Sequence, residues 1–128
     1  MLKATTPCAI DDYRAFDFWL GSWDVTVAGA SAPTAVNHIT TAQDGCVVLE
    51  DYTNNAFSGR SINFNDQQTG KWHQSWMGNG GGAVYLEGGL SEKGEMVPTD
   101  AELPAVKATN TINLVTWTPL SDGRVRQH

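Results

Sequence analysis

The chain has 128 residues, 41% of them hydrophobic, and carries a net charge of −6 from 14 acidic and eight basic side chains. That length suits one domain around one core, residues 1–128. The acidic balance and the scattered cations exclude a broad phosphate-binding face, and with it nucleic acid as a partner. No apolar run nears the ~20 residues that a membrane-spanning helix needs.

Residues 1–10 read as an irregular arm without the apolar core of a signal peptide. The expectation is therefore a cytoplasmic protein, or a periplasmic or secreted one if a leader is missing. Cys8 and Cys46 leave two readings open. A disulfide would close a loop of roughly 38 residues and contribute about 3–4 kcal/mol through the unfolded chain. The other reading is two buried thiols in a reducing compartment.

Asp11 and Asp12 are candidate caps for the helical turns that follow, because a carboxylate accepts from the free N–H groups of a first turn. Residues 13–20 predict one or two such turns, ended by Gly21. The stretch Phe16-Asp17-Phe18-Trp19-Leu20-Gly21-Ser22-Trp23-Asp24-Val25 packs four aromatic residues, one glycine and two acids into ten positions. It reads as a plug, a tight corner and an opening strand, in which Trp23, Val25 and Val27 alternate with Asp24 and Thr26.

Further strands are expected over 35–41, 46–53, 60–65, 71–77 and 83–88, with a short one at 95–97, a long one over 106–118 and a last over 124–128. Turn signals separate them: Asp44-Gly45, Asn54-Asn55 with Ser58-Gly59, residues 66–70, residues 78–82 and Asp122-Gly123. Short, evenly spaced strands with no inserted helices predict a mainly β chain. The expected form is an antiparallel up-and-down barrel, or a half-open one, of 8–9 strands with the short helix over one end. A sandwich is the rival. The last strand has no successor, so two edges would stay unpaired, and the expectation is a homodimer or higher oligomer that pairs them. A smaller barrel closing on itself is the alternative.

Trp72, Gln74 and Trp76 share one face of a strand by period two, and Ser61 and Asn63 share a face of the preceding strand. Pointing inward, they would give a cavity apolar walls and a few polar groups, as a small-molecule site needs. The alternative is a filled core in which Gln74 and Asn63 satisfy each other. Glu50 shares a face with Cys46 and Val48, and Asp51 with Val47 and Leu49, so parity does not decide which acid is inside. An inward Glu50 beside Arg126 would be a buried pair and a hint of function. The candidate ligand-binding set is Trp23, Glu50, Ser61, Asn63, Trp72, Gln74, Trp76 and Arg126. The expected ligand is small and hydrophobic or aromatic, neutral or cationic given the acidic charge.

Gly78-Asn79-Gly80-Gly81-Gly82-Ala83 fits a dinucleotide-binding pattern but leads into a strand, so no helix N-terminus awaits a pyrophosphate, and a hairpin is expected. His38, His73 and His128 have no metal-ligand spacing. No cofactor is expected; haem on one inward histidine is the alternative. No nucleophile–base set is legible. Non-enzymatic binding leads. The alternatives are an enzyme with Glu50 as general base, or an interaction module recruiting a partner strand through its edges.

The opening stretch resembles that of a family of small bacterial proteins of unknown function with a lipocalin-like, calycin-type barrel. So do Asp44-Gly45-Cys46 with Glu50, then Gly59-Arg60-Ser61-Ile62-Asn63-Phe64 and Lys71-Trp72-His73-Gln74-Ser75-Trp76. Trp117-Thr118-Pro119-Leu120-Ser121-Asp122-Gly123-Arg124-Val125-Arg126-Gln127 completes the set. The resemblance implies an up-and-down barrel related in shape to lipocalins and nitrobindin, and no particular activity. Members continue beyond Arg126-Gln127 into two further strands, which puts barrel closure in question here. Gly21-x-Trp23 is similar to the lipocalin Gly-x-Trp signature. That likeness implies Arg124 or Arg126 packed over Trp23 through a cation–π contact.

Overall fold

The computed structural model describes residues 7–100 and 115–128. The chain enters through a 3-10 turn (Pro7–Ala9), a single α-helical turn α1 (Asp11–Arg14) and a second 3-10 turn (Asp17–Trp19). The expected caps are displaced. Ile10 is the N-cap residue and makes no side-chain cap bond, while Asp11 and Asp12 sit inside the first turn. There their charge still faces the positive end of the peptide dipoles. Gly21 then adopts φ +136°, a conformation side chains rarely tolerate, and turns the chain directly into a strand.

Six antiparallel strands follow in chain order: β1 (Gly21–Val25), β2 (Ala35–Ala42), β3 (Val47–Asn54), β4 (Ser58–Asp66), β5 (Lys71–Gly78) and β6 (Ala83–Gly88). Alternation sets the faces. In β2, Ala35, Asn37 and Ile39 are buried while Val36, His38 and Thr40 are exposed. Register carries the same face across the sheet, with Ile39 opposite Glu50, Glu50 opposite Ser61, and Ser61 opposite Trp76. The β2–β3 turn places Gln43, Asp44 and Gly45 at positive φ. Cys46 then reaches back to Cys8, and the disulfide is formed.

Beyond β6 the pairing continues through isolated bridges rather than a full strand. Glu87 and Thr99 exchange two hydrogen bonds of 2.8 Å, Leu90 faces Met96, and Met96 faces Trp117. The short strand expected at 95–97 is thus reduced to bridges. A small second sheet pairs β7 (Trp117–Pro119) with β8 (Val125–Gln127). The strand expected over 106–118 falls mostly outside the described residues; its described end is β7. The fold is thus mainly β, with an up-and-down six-stranded sheet and a two-stranded one; no closed barrel is formed among the described residues.

The core sits where the N-terminal turns cover the sheet. Phe16, Trp19, Ile39, Val48, Trp72, Met96 and Trp117 form one buried cluster. Phe16 stacks on Trp19 at 4.6 Å and meets Trp72 and Trp117 edge-on at 5.7 and 5.2 Å. Such aromatic pairs contribute roughly 0.5–1.5 kcal/mol each beyond the area they bury. The Asp12 carbonyl accepts from both Trp72 Nε1 (3.1 Å) and Asn65 Nδ2 (3.2 Å), which ties the entering segment to β4 and β5.

Candidate functional site

On the inner face, polar side chains from four adjacent strands form one continuous chain. Gln74 Nε2 donates to Asn63 Oδ1 at 2.8 Å, and Asn63 Nδ2 donates to Ser61 Oγ at 2.9 Å and to the Val48 carbonyl at 3.1 Å. Ser61 Oγ donates to Glu50 Oε1 at 2.7 Å, and Asn37 Nδ2 donates to Glu50 Oε2 at 2.9 Å. All five side chains are buried: Asn37, Glu50, Ser61, Asn63 and Gln74 are 1–7% exposed. Burial pushes the Glu50 carboxyl above its ordinary value, opposed by the hydrogen bonds from Ser61 and Asn37. Asn37 Oδ1, beside it, is buried with no partner among the described residues.

Glu50 and Gln74 also form part of a cleft of about 300 Å³. Its aromatic walls are Tyr52, Phe57 and Trp76, its aliphatic walls Val84, Leu86 and Val115, and Gln127 stands at the exposed rim. Tyr52 and Phe57 stack with centroids 5.6 Å apart. The Trp76 indole lies against the backbone of two facing glycines. A Cβ on Gly59 would come within 2.3 Å of Trp76 Cζ2, and one on Gly78 within 2.7 Å of Cη2. Gly59 and Gly78 are paired strand residues, where the sequence suggested turn positions. Their missing side chains make the seat for the indole.

A second cleft, about 400 Å³, lies beside the disulfide and is walled by Tyr13, Val47 and Phe64, with Asn65 and Asp66 at its edge. It contains none of the buried hydrogen-bonded chain, so the smaller cleft is the better candidate.

The eight candidate residues separate into three groups. Glu50, Gln74 and Trp76 line the cleft, and Ser61 and Asn63 support Glu50 from beneath. Trp72 belongs to the aromatic core. Trp23 and Arg126 lie elsewhere. Trp23 Nε1 donates to the Trp19 carbonyl at 2.7 Å, and Arg126 is exposed on the parity opposite Val125 and Gln127. No arginine covers Trp23 among the described residues, since Arg124 pairs with Asp122 at 2.6 Å. Glu50 correspondingly has uncharged partners, Asn37 and Ser61, in place of Arg126. Gln74 and Asn63 do bond each other, and Gln74 also stands in the wall of the cleft.

Tyr52 and Asn37 follow the same alternation as Glu50 and Ile39, so period two reaches them once one inward residue on each strand is known. Phe57, in a loop, carries no such signal. The outer face holds the histidines His38 and His73. His38 Nδ1 lies 3.0 Å from Ser22 Oγ in solvent, and His73 stacks on Phe64 between Asp66 and Glu87. No helix among the described residues is long and apolar enough to cross a membrane. No family model matches the chain, and no curated protein is found to be similar to it.

Proposed function

We propose that this protein binds a small molecule with an apolar or aromatic body, without transforming it, in the cleft between Trp76 and Glu50. The observation that carries the reading is a cleft lined by aromatic side chains and by Glu50 and Gln74, two polar groups held by a buried hydrogen-bonded chain. Walls of the first kind hold an apolar body; groups of the second kind, locked by their neighbours, orient it at low entropic cost. Titration with a panel of small aromatic ligands, followed by tryptophan emission, tests it. The expected result is saturable quenching or a blue shift that disappears in Trp76→Phe. An unchanged spectrum across the panel overturns it.

A second reading has Glu50 as a general base. What favours it is a carboxyl at a cleft wall whose proton affinity is raised by burial, closer to that of a working base than an exposed acid's. Ser61, only 3% exposed, is shielded from any substrate and serves to hold Glu50. Under this reading, a substrate that turns over would lose turnover in Glu50→Gln while still binding.

The finer architecture belongs to the same proposal. The strands and bridges follow one another in chain order, and we read them as an open lipocalin-like barrel with β1 and β8 as its edges. β1 and β8 each pair on one side among the described residues. Unpaired edges recruit strands, so a homodimer joined along them is the proposed assembly. Light scattering on the eluting protein should return twice the mass of one chain; a monomer rejects it.

A further inference from the structure

We propose that the cleft selects a protonated primary or secondary amine carrying an apolar body. The proposal rests on the binding reading above and names the chemistry of its ligand. The argument is the charge of the deep wall. The buried chain commits one N–H of Gln74 Nε2 to Asn63, both N–H groups of Asn63 Nδ2 to Ser61 and the Val48 carbonyl, Ser61 Oγ to Glu50, and one N–H of Asn37 Nδ2 to Glu50.

Among the described lining residues the one formal charge is that of the Glu50 carboxylate. The Glu50 carboxylate has acceptor capacity beyond its two bonds, and Gln74 Oε1 accepts from no described group. Among the described lining residues, none is Lys or Arg. A ligand that brings another acceptor leaves both oxygens unsatisfied and repels the carboxylate. A ligand that brings N–H groups on a cation meets both, through charge-assisted bonds stronger than neutral ones. The aromatic lining suits the same charge, because Trp76, Tyr52 and Phe57 stand in the same cleft and aromatic rings attract a cation to their faces. A quaternary ammonium satisfies the rings but offers no N–H to Glu50, which is why the amine must keep its protons.

The test uses three probes of one shape on the intact protein at neutral pH: phenethylammonium, phenethyl alcohol and hydrocinnamate. Tryptophan emission reads each titration. The expected order is ammonium first, the alcohol weaker by about ten-fold or more, and the carboxylate without measurable binding. In Glu50→Gln the ammonium should fall to the level of the alcohol, while the alcohol keeps its affinity. The wild-type series stands without the variant, so a poorly folding variant does not blunt the result. Equal affinity for the ammonium and the alcohol, or preference for the carboxylate, overturns the amine assignment and leaves the cleft reading intact. Absence of all three, with emission unmoved, overturns both.

Discussion

Glu50 is the residue on which the site turns, and its ionisation has a sign that can be worked out. Its folded carboxyl holds its proton more tightly than the ordinary value of 4.5, because burial outweighs the bonds from Ser61 and Asn37. Below the ordinary value both folded and unfolded chains are protonated there, and the site's contribution to stability is fully present. Between that value and the folded one, the folded chain binds more protons, so stability is lost as pH rises. Stability measured by urea unfolding across pH, wild type minus Glu50→Gln, should therefore fall from about pH 4.5 upward and then level off. A difference that is flat across the range rejects the assignment. The substitution itself should be tolerated. Asn37 can turn its amide so that the unpartnered Oδ1 accepts from the new side-chain amide. With the buried charge gone, neutral-pH stability should rise.

At the scale of strands, two glycines leave room that their neighbours fill. Gly59→Ala drives a methyl into the Trp76 indole, at 2.3 Å from Cζ2. The ring can swing away, so the expected cost is about 1–3 kcal/mol, with loss of ligand-induced quenching. Gly88→Ala meets backbone instead, at 2.4 Å from the Val97 carbonyl oxygen. Backbone cannot swing, and the Glu87–Thr99 bonds beside it should open. Thermal unfolding should therefore rank Gly88→Ala below Gly59→Ala; the reverse order contradicts the packing described here. These residues also mark where the sequence stops being readable. Alternation in 35–41 and 71–77 foretells which side chains are buried, because one face of each strand is dry. A glycine reads as a turn when its neighbours do, and nothing local announces that an indole of the neighbouring strand will cover Gly59. Likewise Glu50 shares its parity with Val48, but the choice between inside and outside depended on Asn37 and Ser61, residues 13 and 11 positions away. Arg126 was the expected partner by charge alone, and strand parity put it on the other side.

For the molecule as a whole, the disulfide between Cys8 and Cys46 is the one covalent link between the entering segment and the sheet. Spanning 38 positions, it restricts the unfolded chain by about 3–4 kcal/mol. Guanidinium unfolding with and without reductant should show a loss of that order. The loss should appear as a lower midpoint rather than collapse, because Phe16 and Trp19 remain packed on Trp72 and Trp117.

The shared carbonyl of Asp12 has a practical consequence. Because the Trp72 indole N–H ends on that oxygen, its proton resonance is a private reporter of whether the N-terminal segment is docked. Of five indole signals in a nitrogen-labelled sample, one should move when the thiols are freed. The signal of Trp76, seated on its glycines instead, should stay in place and answer to a bound guest alone.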